Sequence, residues 1–353
     1  MNFEKKYITG CVVSRPGHEV EVVSDIQKPD LRMGQVLVQL KYASVCHSQL
    51  MEARGSRGED KYLPHLFGHE GIGSVVEVGF GVTKVIVGDE VILTWVKDTG
   101  IEAGATSYVT KSGRRINSGS VVTLATFAVV SENRVVKKPP FTPSWLCSLY
   151  GCAMLTGAGI VMNQVQPRSN SDIVVLGLGG VGLSALMAAK SFRPKSLIAI
   201  DTEDHKLDLA MSLGADKVVK VGSGSDITSS INKSLEGAGA DYVIESAGKI
   251  ETIELGFSLL KKESGELYFA SHPAAGEKIS LDPFELISGK KIFGSWGGGS
   301  IPSRDIPILD KMYSKGFFDL EKLLSREYTL HEINDALWDL ENRKINRALI
   351  KIN

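Results

Sequence analysis

Short apolar runs broken by turn residues dominate roughly the first 150 positions, a rhythm typical of strands. Val36 to Val45 is rich in Val, Leu, Tyr and Ala, and Gly71 to Val85 and Asp89 to Val96 follow, with glycine-containing turns between them. Strands spaced this way, with little helical periodicity, predict an antiparallel barrel or sandwich. From Ser171 onward the rhythm becomes strand, helix, strand, helix. Ile173 to Leu176 is an apolar strand, and Val181 to Ser191 is an Ala- and Leu-rich helix. Ser196 to Ile200 predicts a second strand, followed by a helix from Glu203 that stops at Gly214, a C-cap signal. Lys217 to Val221, Asp241 to Glu245 and Glu266 to Ala270 supply further strands, with Lys291 to Gly294 a sixth. Helices are expected over Asp226 to Leu235 and Thr252 to Lys262. Such alternation builds a parallel sheet covered by helices on both faces. The last segment opens with Gly297 to Ser300, readable as a flexible linker or as a hinge, and closes with a helix, His331 to Asn342, and a strand, Ala348 to Ile352.

At 353 residues the chain exceeds one hydrophobic core, and its length points to about two domains. Lys plus Arg number 40 and Asp plus Glu 41, a formal charge of -1, which offers no electrostatic reason to expect nucleic acid or an anionic membrane as partner. The opening MNFEKKYITG has no apolar core of a secretory signal, and the apolar run from Ile173 up to Lys190 is interrupted by four glycines. Four cysteines, Cys11, Cys46, Cys147 and Cys152, are too few for a disulfide framework in a chain this long. A soluble cytoplasmic protein is the expectation.

Gly177-Leu-Gly179-Gly180-Val181-Gly182 matches G-x-G-x-x-G and gains meaning from its setting. It follows an apolar strand, opens a helix, and is answered 19 positions later by Asp201 at the end of the next strand. Gly177 permits the tight turn, Gly179 lets the backbone approach a pyrophosphate, and Gly182 lets helix and strand pack closely. The pyrophosphate would sit over a helix N-terminus, where free N–H groups and the dipole favour anions. The Asp201 carboxylate accepts from adenosine ribose hydroxyls and repels a 2′-phosphate, so NAD is favoured over NADP.

Cys46, His69 and Cys152 are far apart in sequence, and each alone reads as an ordinary buried cysteine or a paired histidine. Their surroundings are more specific. Cys46-His47-Ser48 ends the run that reaches Val45, Gly68-His69-Glu70 opens the next strand block with Gly73, Gly79, Val82 and Gly88-Asp89 beyond it, and Cys152 stands in Gly151-Cys-Ala-Met-Leu-Thr156-Gly157. Over nearly the whole chain these residues resemble the zinc-dependent medium-chain alcohol dehydrogenases, the stretch from Gly68 to Gly73 with Gly79, Val82 and Gly88-Asp89 being the specific signature. The resemblance implies a GroES-like, β-rich catalytic domain over residues 1–152, a Rossmann NAD-binding domain over 153–295, and a return to the catalytic domain over 296–353. It makes Cys46, His69 and Cys152 the expected ligands of one catalytic zinc, with Glu70 as a nearby carboxylate or transient ligand. Two thiolates and one imidazole with an open position also suit zinc chemistry.

By the same resemblance Ser48 would accept the substrate hydroxyl proton. His47 and Arg347 would contact the pyrophosphate, Lys206 would lie near the adenosine ribose, Thr156 and Val181 beside the nicotinamide, and Trp95 would narrow the substrate pocket. The expected reaction is hydride transfer between NAD(H) and a small alcohol, aldehyde or ketone. Two alternatives stand beside it, a zinc-free reductase of quinones or activated alkenes and a non-catalytic NAD-binding protein. A homodimer or homotetramer built through the nucleotide-binding domains is implied as well. The sequence departs from the family's pattern in three places. No cysteine lies between Val96 and Ser120, which excludes a structural zinc held there by four cysteines; position 49 is Gln where Asp is usual; and position 51 is Met where some relatives carry a relay histidine.

Overall fold

A computed structural model describes residues 7–222, 231, 233, 235 and 237–353. In chain order the first strands are β1 (Tyr7–Val13), β2 (Glu21–Gln27), β3 (Gln35–Val45), β4 (His65–Leu66), β5 (Glu70–Val78), β6 (Glu90–Thr94), β7 (Ser107–Val109), β8 (Arg115–Asn117), β9 (Phe127–Ser131) and β10 (Val135–Lys137). Then come β11 (Asp172–Leu176), β12 (Ser196–Asp201), β13 (Lys217–Lys220), β14 (Tyr242–Glu245), β15 (Glu266–Phe269), β16 (Lys291–Gly294), β17 (Arg326–Thr329) and β18 (Ala348–Lys351). Helices α1 (His47–Arg54), α2 (Ser144–Cys147), α3 (Ala153–Gly159), α4 (Gly180–Lys190), α5 (Asp204–Leu213), α6 (Ile250–Ser258), α7 (Pro283–Ile287), α8 (Pro302–Ser314) and α9 (Ile333–Glu341) complete the described regular structure. Among the described residues no single helix is long and apolar enough to cross a membrane.

The chain divides into two compact units, one holding residues up to Cys152 with Ile301–Ser314 and Leu323–Asn353, the other Ala153–Ser300 with Lys315–Lys322. In the first, a five-stranded sheet runs β2-β1-β4-β8-β7, and a seven-stranded sheet runs β10-β6-β5-β3-β18-β17 with β9 also on β3. Their inner faces close over a core that includes Ile8, Leu37, Val38, Leu66, Leu93 and Tyr108. β18 pairs antiparallel with β3, Ala348 opposite Val45, so the end of the chain completes a sheet begun by its start. The second unit is a six-stranded parallel sheet in the order β13-β12-β11-β14-β15-β16. Counted from β11 this is the 3-2-1-4-5-6 arrangement, whose strand order reverses between β11 and β14 and opens a crevice at their carboxyl ends.

Several expectations shift in detail. α1 stands where a strand end was expected. Only Gln49, Leu50 and Ala53 of it are buried, too few for a visible apolar stripe, and its limits are set by a capping interaction at Cys46 and by Gly55 in the left-handed region (φ 78°). α2 and α3 escape pattern reading for the opposite reason: every residue of α3 is buried, so no polar face marks the helical period. The expected strand block from Gly71 to Val85 ends at Val78. The helix expected over 226–235 falls mostly outside the described residues. Gly297 to Gly299 form a tight turn with positive φ throughout, and a Cβ on Gly298 would stand 2.4 Å from the Leu155 carbonyl, so this stretch is packed structure and not a flexible linker.

The cysteine-free segment after β6 is held by carboxylates. Glu132 accepts from the backbone N–H groups of Thr83 (2.6 Å), Lys84 (2.8 Å) and Ile101 (2.8 Å). Asp98 takes the Lys84 ammonium at 2.8 Å and the Ser303 hydroxyl at 2.9 Å. Burial opposes the charge on Glu132, but those three N–H groups outweigh it and hold its carboxyl below the ordinary range. A lowered folded-state pKa contributes stability above the unfolded value, and that contribution is lost as pH falls through the folded value. Glu132→Ala, which removes the shared acceptor of three partly accessible N–H groups, is therefore expected to cost about 1–2 kcal/mol near neutral pH by denaturant unfolding. The gap between variant and wild type should shrink once the pH drops below about 4, and EDTA should leave it unchanged. A gap independent of pH would contradict this account.

Candidate active site

Three segments of the first unit bring their donors together. β3 ends at Val45, and Cys46 becomes the N-cap of α1, with its backbone N–H donating to the Gln49 side-chain oxygen at 2.8 Å. Gln49 thus anchors the ligand's backbone, a role that only the capping geometry reveals. The Cys46 sulfur in turn accepts the Gln49 backbone N–H, the kind of helix N-terminal contact that favours a thiolate. His69 is carried up to β5 by Gly68, whose φ of 106° and whose absent Cβ, which would sit 2.7 Å from the Leu124 nitrogen, make glycine obligatory. Gly151 does the same for Cys152. A Cβ there would lie 2.4 Å from the Leu93 carbonyl and 2.7 Å from the Glu70 Cα, so the chain passes directly against β5 and β6. Thr94 secures the pass by donating its hydroxyl to the Gly151 carbonyl at 2.7 Å.

The result is a cluster in which the donor atoms of Cys46, His69 and Cys152 all lie within 4.8 Å of one another. Cys46 Sγ stands 3.3 Å from His69 Nε2. A tetrahedral zinc with the usual bond lengths would place such atoms about 3.5–3.8 Å apart, so the residues fit the ion and leave its fourth position free. A hydrogen bond from the Cys152 thiol, aided by the charge of His69, holds the Cys46 sulfur well below the ordinary thiol range. Cys152, giving that bond and buried, is pushed well above it. Burial opposes charge on His69, yet Cys46 raises its pKa by charge and by hydrogen bond.

Ser48 occupies the first turn of α1, not a strand end, with Oγ 2.7 Å from Cys46 Sγ. Glu70 is fully buried, and burial pushes its carboxyl up against the opposing charge of Arg347. Arg347 Nη1 stands 3.0 Å from Glu70 Oε1 with 2% of the residue exposed. The resemblance assigned this guanidinium to the pyrophosphate; its partner here is Glu70. His47 is exposed at the start of α1, Met51 is half-buried on the next turn, and Trp95 is half-buried with its carbonyl accepting from Arg134.

In the second unit the fingerprint divides by purpose. Gly177 has φ 84°, and a Cβ on it would stand 2.6 Å from the Ala247 nitrogen; one on Gly182 would stand 1.8 Å from the Gly177 carbonyl. Both are dictated by protein packing. At Gly179 nothing lies within 4 Å of an added Cβ, so its glycine answers no internal clash and leaves the backbone open to a ligand. Gly180 and Val181 begin α4, half-exposed, while Thr156 lies buried on α3. Gly157 lets these two helices meet, since its Cβ would fall 2.1 Å from the Val181 carbonyl. Asp201 ends β12 and accepts from the Leu178 N–H and the Thr202 N–H at 2.7 Å each, tying the glycine turn to the end of that strand. Lys206 is half-buried on α5.

The chain matches two family models, the alcohol dehydrogenase GroES-like domain over residues 32–140 and the zinc-binding dehydrogenase over residues 180–314. It is 28% identical to an S-(hydroxymethyl)glutathione dehydrogenase of Escherichia coli, over 97% of this chain and 98% of that protein. Among solved structures, benzyl alcohol dehydrogenase from Acinetobacter calcoaceticus is similar with a TM-score of 0.88 and 28% identity, covering 99% of this chain and 100% of that one. An alcohol dehydrogenase zinc-binding domain protein from Burkholderia ambifaria is similar with a TM-score of 0.89 and 27% identity, covering 98% and 99%. With both halves matched, and a Cys/His/Cys donor set gathered from three distant segments, the chain belongs to the zinc-dependent medium-chain alcohol dehydrogenase family.

Proposed function

We propose that the protein transfers hydride between NAD(H) and an alcohol or its aldehyde or ketone. The observation that carries this reading is the convergence of Cys46, His69 and Cys152 on one open position with the Ser48 hydroxyl beside it. When bound there, zinc supplies a Lewis acid for the substrate oxygen, and NAD supplies the hydride acceptor. The chain's own contribution is placement and charge. Cys46, His69 and Cys152 hold the ion, and Gln49 holds the backbone of Cys46. Glu70 and Arg347 bury a mutually neutralising pair behind them. Ser48, with Oγ 2.7 Å from the Cys46 sulfur, would accept a proton from a hydroxyl at the open position at Oγ while passing its own hydroxyl proton onward. His47, exposed on α1, and the solvent-facing start of that helix offer the onward route for the proton that Met51 does not. A zinc-free reductase has no use for such a donor set.

For the cofactor, Asp201 supports NAD through its carboxylate, Gly177 to Gly182 offer the pyrophosphate a helix N-terminus, and Thr156 and Val181 stand for the nicotinamide side, with Lys206 near the ribose. Trp95 is proposed to narrow the space for substrate. We also propose a homo-oligomer assembled through the nucleotide-binding unit. β16 is the last strand of its sheet, and Phe284 (71% exposed), Ile287 (82%) and Trp296 (77%) flank it in sequence with their apolar surfaces in water.

Three outcomes follow from this reading. Cys46→Ala should lose both stoichiometric zinc, by elemental analysis, and NAD-dependent alcohol oxidation; full turnover in that variant refutes the ligand assignment. Asp201→Gly should weaken NAD and narrow its advantage over NADP by about tenfold or more, read as the ratio of kcat/KM values; an unchanged ratio removes the ribose role. Phe293→Lys on β16 should shift the mass in light scattering toward the monomer, and an unaltered oligomer would move the interface elsewhere.

A further inference from the structure

Glu245 ends β14 with no exposed surface, and nothing in the proposed chemistry uses it. Its Oε1 accepts from the Ala247 N–H and the Gly248 N–H at 2.8 Å each and from the Thr252 hydroxyl at 2.7 Å. Its Oε2 is buried without a hydrogen-bond partner among the described residues. Sinking a carboxylate with one oxygen unsatisfied is costly, and burial does push its carboxyl above the ordinary range. An apolar residue would avoid that cost, so the three donors gathered on the accepting oxygen, and the loop position they fix, are what the side chain secures.

That loop is one wall of the glycine turn. Ser246 donates its N–H to the Leu176 carbonyl at 2.8 Å and its hydroxyl to the Gly177 carbonyl at 2.6 Å. The Ala247 nitrogen and the Ser246 hydroxyl stand 2.6 and 2.5 Å from where Cβ atoms on Gly177 and Gly182 would be. Thr252 belongs to the first turn of α6, so a single carboxylate oxygen joins β14, the loop and that helix. We propose that Glu245 is a positioning residue for the dinucleotide, setting the 246–248 loop against Gly177 and thereby the seat on which the pyrophosphate rests. This rests on the NAD reading above.

The test is a fluorescence titration of NADH against the zinc-loaded full chain, without substrate. Glu245→Ala should raise the NADH Kd at least about tenfold, while zinc content stays at wild type and kcat at saturating NAD changes by less than about threefold. Glu245→Gln, which keeps the accepting oxygen, should recover most of the affinity. Ile198→Ala, a core truncation in the same unit, serves as the stability control and should lower the melting temperature without weakening NADH. If Glu245→Ala does not fold, Ser246→Ala carries the test, because it removes only the hydroxyl's bonds to the Gly177 and Leu176 carbonyls and should weaken NADH. NADH affinity unchanged in Glu245→Ala, or in Ser246→Ala where the former does not fold, overturns the proposal, as does equal weakening in Ile198→Ala. Wild-type protein that binds no NADH at all overturns the NAD reading itself, a result separable from failure of the variants.

Discussion

The ion pair between Glu70 and Arg347 is the interaction around which the catalytic unit closes. Its partners are 277 positions apart, one on the strand that follows the His69 ligand and the other just before the last strand of the chain. Both are buried, so each charge has lost its water, and neither is tolerable without the other. The pair fixes where the returning segment meets the first sheet, and β18 then extends that sheet in register from Val45, one residue before Cys46. The metal ligands therefore inherit their placement from a contact that is itself no part of the donor set. A pair of this kind adds little net stability over apolar residues of the same size, but it penalises any register that separates the two charges.

Around that anchor the ligands are set by backbone more than by side chains. Gly68 and Gly151 bring the chain into spaces where a methyl group cannot go, and the α1 N-cap holds Cys46 through Gln49. Gln49 stands where Asp is usual; its oxygen is committed to the Cys46 N–H, a task an amide performs without adding a charge at that ligand, although its Nε2 is buried with no partner among the described residues. The segment after β6 follows the same economy. Where a four-cysteine zinc would organise a lobe, this segment has no cysteines, and Glu132 and Asp98 gather backbone N–H groups, an ammonium and a hydroxyl.

The nucleotide-binding unit shows how one motif carries two kinds of necessity. Gly177 and Gly182 are glycine because protein atoms occupy the space of a side chain; Gly179 is glycine with that space empty. Asp201 likewise serves twice, bonding the turn through the Leu178 N–H while keeping a carboxylate at the end of β12. Glu245 extends this logic one strand further, to the other side of the point where strand order reverses.

Much of this was legible in the residues themselves. Alternating apolar runs and helical stretches specified the parallel sheet, because its central strands β11, β12 and β14 are buried on both faces and read as continuous apolar segments. The fingerprint and its answering Asp201 lie within one local unit, so spacing sufficed, as cap signals did for α5. The ligand set was legible only through resemblance, since Cys46, His69 and Cys152 share no local pattern. What the residues could not disclose was every relation between distant segments. That Arg347 faces Glu70, that Gln49 bonds the Cys46 backbone, that a helix begins at His47, and that Glu245 supports the glycine turn all depend on which backbone groups come within hydrogen-bonding distance once the sheets assemble. Local periodicity records which way a residue faces; only the tertiary structure determines what it faces, because burial and charge pairing are properties of the assembled neighbourhood.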